Sequence, residues 1–185
     1  MEWFTYLTLL RGALHGEYQP RGLIEDADCV LAFSMGYGVV DGEATPGTGN
    51  GELAMYIYAN FAQSSLPILA QEEIAVALEA MDYPGEILRF CQLGEKTTTR
   101  HVAMQMIAEM KDPDRDYEDP ILVASARHAA RADLIVSWFR LDPILTENLP
   151  QALDPASAQW RTRNPVNWMF WELCSWSHHF LHGLI

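Results

Sequence analysis

Basic residues are scarce in this chain. Twelve lysines and arginines stand against twenty-five aspartates and glutamates, a formal net charge of −13. That balance argues against a nucleic-acid or anionic-membrane surface, because both need a basic footprint. Cysteine is rarer still. Cys29, Cys91 and Cys174 are odd in number, lie in apolar stretches and form neither a CxxC pair nor a zinc-type spacing. They read as reduced, mostly buried thiols of a cytoplasmic protein. No apolar run reaches the about 20 residues that a membrane span requires. Met1-Glu-Trp-Phe-Thr-Tyr-Leu-Thr-Leu-Leu10 begins with an acid and soon meets Arg11. It therefore reads as an amphipathic helix over 2–16 rather than an export signal. The glycine cluster Gly47-Thr-Gly-Asn-Gly51 contains no GxGxxG and no Walker lysine, so a nicotinamide or ATP fingerprint is missing. No GxSxG elbow of a serine hydrolase occurs either.

What is present is an ordinary globular composition, 49% hydrophobic and 20% charged, over 185 residues. That suits a single domain, 1–185, able to bury its own core. Apolar runs alternate with helical periods. Strands are expected at 27–33, 66–70, 86–91 and 121–124, with a weak fifth at 143–145. Helices are expected at 52–63, 72–81, 98–110 and 126–139, and a glycine-rich loop through Asn50. Strict alternation with short connections implies a mainly parallel sheet of about five strands covered on both faces, a three-layer Rossmann-like α/β sandwich. Asn164-Pro165 starts a long terminal helix, 166–184, carrying Trp168, Phe170, Trp171, Trp176 and Phe180. This aromatic helix packs on the sheet or, alternatively, forms a homodimer contact. His178-His179-x-x-His182 has no carboxylate or cysteine at ligand spacing, so no metal site is expected.

The most informative stretch is Pro120-Ile-Leu-Val-Ala-Ser125-Ala-Arg-His128-Ala-Ala-Arg131-Ala-Asp133. An apolar run opens directly into a helix whose first turns carry a hydroxyl, two guanidiniums and an imidazole. Cations there oppose the helix dipole, and an anionic ligand would repay that cost. Ligands of parallel sheets bind at the carboxyl ends of the strands, near the switch point. The residues expected on that rim are Ser34, Met35 and Gly36 after the first strand, Gln71, Glu72 and Glu73 after the second, and Glu95, Thr97, Thr98 and Thr99 after the third. Ser125, Arg127, His128 and Arg131 follow the fourth, and Asn50 sits in the glycine-rich turn. Arg131, assisted by Arg127 or Lys96, would pair with a phosphate or carboxylate. His128 would titrate near neutrality as acid or base, with Glu73 or Glu95 orienting it or binding a ribose hydroxyl.

In motif order, residues 26–175 resemble the YdcF/ElyC/SanA-like family, a bacterial Rossmann-like domain of largely unknown function. The first turn is matched by Val30-Leu-Ala-Phe-Ser34-Met-Gly36, the next helix entry by Gly49-Asn50-Gly-Glu-Leu-Ala54, and a Glu-Ala pair by Glu73-Ile-Ala75. Glu95-Lys-Thr-Thr-Thr99-Arg-His-Val-Ala103 corresponds partly, with Val102 where the family has asparagine. Val123-Ala-Ser125-Ala-Arg-His128-Ala-Ala-Arg131-Ala132 matches the last motif closely, and Glu172 stands where the terminal helix carries a carboxylate. The resemblance implies the fold more firmly than an activity, and an S-adenosylmethionine-type cofactor is open by resemblance only. Two readings follow. One is an enzyme acting on a small anionic, nucleotide-like or phosphorylated metabolite. The other is a non-catalytic binding or regulatory domain using the same crevice.

Overall fold

The computed structural model describes residues 11–12, 14–95 and 97–181, with side chains described through Ser175. Its centre is a parallel sheet of four short strands: β1 (Cys29–Ala32), β4 (Ile68–Gln71), β5 (Ile87–Phe90) and β6 (Pro120–Val123), in the order β5-β4-β1-β6. β1 lies between β4 and β6, with Leu31 level with both Leu69 and Leu122. The expected fifth strand is reduced to a single parallel bridge, Ile121 with Ile144, at the β6 edge. Arg21 pairs antiparallel with Leu145 beside it, so that edge is covered rather than extended.

Side chains of a strand alternate between faces, and here both faces are dry. Val30 and Ala32 of β1 face one layer with Ile68, Ala70, Ile121 and Val123. Against them pack α1 (Gly47–Phe61) through Leu53, Ile57 and Phe61, and α2 (Glu72–Glu79) through Ile74, Ala75 and Leu78. Cys29, Leu31 and Phe33 face the other layer with Leu69 and Leu122. There α3 (Thr99–Met110) brings Val102, Met106, Ile107 and Met110, and α4 (Ala126–Ser137) brings Ala132, Ile135 and Val136. The α/β sandwich expected from the alternation is therefore the fold.

Two further features depart from the expectation. The glycine-rich loop is not a loop: β2 (Gly38–Val40) and β3 (Glu43–Thr45) form a small antiparallel hairpin, and α1 already begins at Gly47. Asp41 and Gly42 both have positive φ, 53° and 86°, the backbone of a two-residue type I′ turn. The cysteines are all free, but they are not all buried. Cys29 is buried, Cys91 half-buried and Cys174 exposed. Cys174 lies on α5 (Pro165–Leu181), two residues beyond the buried Glu172 and hence on the opposite side of the helix. On the same helix Trp168 is buried while Phe170 is exposed.

Most of the expected N-terminal helix and the side chains of Trp176, Phe180, His178 and His179 lie outside the described residues, as do His182 and Lys96. Among the described residues no helix is long and apolar enough to cross a membrane, and no cluster of metal-ligating side chains occurs.

Candidate functional site

The chain runs from β1 to its neighbour β4, on to β5, and then returns to the far side of β1 as β6. The reversal makes β1/β6 the switch point, where the two following loops part and leave a crevice. A cavity of about 50 Å³ sits there, bordered by Ser34 and Gly36 after β1, Thr99 at the start of α3, and His128 and Arg131 on α4. One water needs about 10–15 Å³ of such space, so the cavity suits a few waters or one oxyanion.

Buried hydrogen bonds fix its floor. The Met35 amide donates to Asn50 Oδ1 (2.8 Å), and Asn50 Nδ2 donates to the carbonyls of Gly36 and Pro46, both at 2.7 Å. The Ser34 amide donates to Gln71 Oε1 at 3.1 Å. Gly36 has φ of 78°, and an added Cβ would come within 2.6 Å of Thr162 Oγ1. Glycine is required there for both reasons. The tight approach brings in a second chain segment, the loop after Asp154. Asp154 accepts from the Thr48 amide at the start of α1 (3.0 Å) and from the Ala156 amide (2.9 Å). Ser157 Oγ donates to the Tyr37 carbonyl (3.0 Å) and accepts from Thr162 Oγ1 (2.7 Å). Pinned in this way, the loop and its short 3-10 turn Trp160–Thr162 deliver Gln159 and Arg161 to the cavity.

The far wall is polar, buried and held by α5. Arg131 Nη1 lies 3.0 Å from Glu172 Oε1, with side chains only 12% and 3% exposed. The Arg131 guanidinium lies 5.0 Å from the centre of the Trp168 ring, and that ring meets His128 edge to face at 5.4 Å. Burial, offset by Glu172, lowers the Arg131 pKa. Burial also lowers that of Arg161, and Arg131 adds to the effect. Glu172 pairs with Arg131 and is also near enough to act on Arg161. Among the described residues Arg161 forms neither an ion pair nor a hydrogen bond through its side chain, and its guanidinium rests 4.6 Å from the Trp171 ring. Within a strongly acidic chain the buried wall of the cavity therefore gathers two guanidiniums around one carboxylate, with Glu95 on the exposed rim.

His128 is not the near-neutral titrating group expected. Burial first, then Arg131 and Arg161, hold its pKa well below the ordinary 6.5. Arg131 Nε donates to His128 Nδ1 at 3.3 Å. A guanidinium cannot accept, so Nδ1 is bare and the proton of the neutral ring sits on Nε2. Nε2 lies 3.4 Å from Thr99 Oγ1 and is a donor there. Because the folded ring resists protonation while the unfolded ring does not, the unfolded state takes up the extra proton as pH falls below about 6.5. His128 thus destabilises the fold on the acid side and has no effect above. Wild-type stability should fall, through this group, by up to about 1.4 kcal/mol per pH unit below 6.5 relative to His128→Gln. Paired denaturant titrations at pH 7 and pH 5 check this, and equal slopes with pH would contradict the neutral assignment.

The expected residues divide sharply. Ser34, Gly36, Glu95, Thr99, His128 and Arg131 border the cavity, with Glu95 on its exposed rim. Asn50 lies beneath it as a brace. Ser125 stands at the N-cap position of α4 but off the rim, and its hydroxyl does not cap the helix: it donates to the Gln151 carbonyl (2.8 Å). Arg127 does not assist Arg131, since its guanidinium donates to the Leu14 carbonyl away from the cavity. Glu73 does not reach His128, a task that Arg131 performs. The carboxyl is 2% exposed behind the Ser34 turn, and burial raises its pKa despite hydrogen bonds from its own amide, Ser34 and Gly94. Gln71, expected on the rim, borders the cavity too, whereas Gln159, Arg161, Thr162 and Trp168 were missed. One signal was readable: Trp160-Arg161-Thr162-Arg163 is a second basic cluster in an acidic chain, open to the same reasoning as Arg127 and Arg131. Compared with known proteins, the chain matches no family model, no curated protein and no solved structure.

Proposed function

We propose that this chain binds a small anionic, phosphorylated or nucleotide-like ligand at the carboxyl ends of β1 and β6. The observation that carries the reading is the convergence of Arg131 and Arg161 on one cavity with a single buried carboxylate between them. An oxyanion would accept from Arg161 and from the Thr99 hydroxyl, which is left to donate because it accepts from His128 Nε2. Membership of the YdcF-like family belongs to the same proposal. It rests on motif order and on His128, Arg131 and Glu172 meeting in space.

Between catalysis and binding alone, the neutral imidazole favours binding. With its proton on Nε2 and Nδ1 occupied, His128 is a hydrogen-bond donor rather than a base. No other expected acid or base reaches the cavity except the exposed Glu95. Inorganic phosphate is the direct probe, followed by calorimetry at one fixed ionic strength. Arg161→Gln should weaken it about ten- to hundredfold, the effect of losing one charge-assisted hydrogen bond of about 1.5–3 kcal/mol. Wild-type protein that takes up no phosphate at millimolar concentration, or equal affinity in Arg161→Gln, would overturn the reading.

A further inference from the structure

We infer that the anion cavity is the deep half of a two-part site whose outer half holds a planar aromatic ring of the same ligand, which makes the ligand class an aromatic phosphate of nucleotide size. The inference rests on the anion reading above. Beside the cavity runs a groove of about 640 Å³, walled by the rings of Tyr37, Trp160 and Trp171. Arg131, Arg161 and Thr97–Thr99 border both spaces, so the two are continuous. That volume falls in the range of small-molecule sites, about 300–1,000 Å³.

The composition of the groove selects its occupant. Trp160 is 46% exposed, too open to serve as a core residue, yet it meets Phe170 at 6.3 Å at the mouth of a charged cavity. Rigid rings held next to cations are the standard means of gripping a base by its face. Arg161 joins the halves: its charge serves the cavity, and its plane already lies over Trp171. A bare sugar phosphate would fill the cavity and leave the aromatic walls wet.

Calorimetry with inorganic phosphate, ribose 5-phosphate and adenosine 5′-monophosphate tests this on the full chain at one ionic strength. The nucleotide should bind about five- to hundredfold more tightly than ribose 5-phosphate, the range that base stacking gives. Trp160→Ala with Trp171→Leu should abolish that preference, read as a ratio within the variant because Trp171 also backs Arg161, whereas Trp171→Phe should keep most of it. Equal wild-type affinity for nucleotide and sugar phosphate, with phosphate still bound, overturns the aromatic subsite and leaves the anion reading intact. Absence of phosphate binding overturns both. If the double variant also loses phosphate, the wild-type preference decides.

Discussion

Arg131→Ala is expected to cost about 3–5 kcal/mol of stability, because it breaks a buried ion pair, removing the guanidinium 3.0 Å from the carboxylate of Glu172, 3% exposed. For a chain of this size that amounts to roughly 6–20 °C in the unfolding midpoint. The loss comes from parting a buried charge from its strongest partner, so Glu172→Gln in the same background should recover part of it. The variant should also release His128. With the neighbouring guanidinium gone, the repulsion that helps keep the ring neutral disappears, and its pKa should climb toward the ordinary value. Arg131→Lys should not substitute well, since an ammonium offers neither the flat face over Trp168 nor the fixed Nε–H to His128. Thermal unfolding of the three variants measures the first effect and NMR titration of His128 the second. A cost below about 1 kcal/mol would mean that water reaches the pair.

Trp168→Ala should be comparably severe, again about 3–5 kcal/mol. The ring is 2% exposed and belongs to the core between the sheet and the α1–α2 layer. It is also the surface on which both Arg131 and His128 rest, and its Nε1 donates to the Arg127 carbonyl at 3.1 Å. Trp168→Phe keeps most of the volume but loses that hydrogen bond, for about 0.5–1.5 kcal/mol. Phosphate affinity should fall in both variants as the two side chains lose their backing. The effects of Trp168→Ala and Arg131→Ala should not add, because the two residues touch. Urea titration of the single and double variants gives the coupling, and strict additivity would separate the ring from the ion pair.

The fold was legible where periodicity is strong. β1, β4 and β6 are short apolar runs between helical periods, and nothing in the surroundings overrides them. The hairpin was missed although Val39-Val40-Asp41-Gly42-Glu43 carries an Asp-Gly turn flanked by β-branched residues, because its strands are only three residues long. At the site, His128, Arg131, Gly36 and Thr99 were readable since each follows a strand end. Arg127 was misplaced by the helical repeat itself: one residue before His128 turns a side chain about 100° away from the cavity. The ionisation of His128 was unreadable for a different reason. It depends on Arg161 and on burial beneath Trp168, both supplied by a segment far along the chain.

The division of labour between the sheet loops and the segment after Asp154 bears on how such a site can diversify. Ser34, Gly36 and His128 are tied to strands that also make the core, so changing them risks the fold. Trp160 and Arg161 sit on a short turn that contributes no strand, anchored mainly by Asp154, Ser157 and Thr162. Substitutions there can exchange one bound group for another while the scaffold stays as it is, so selectivity and foldability can evolve on separate tracks.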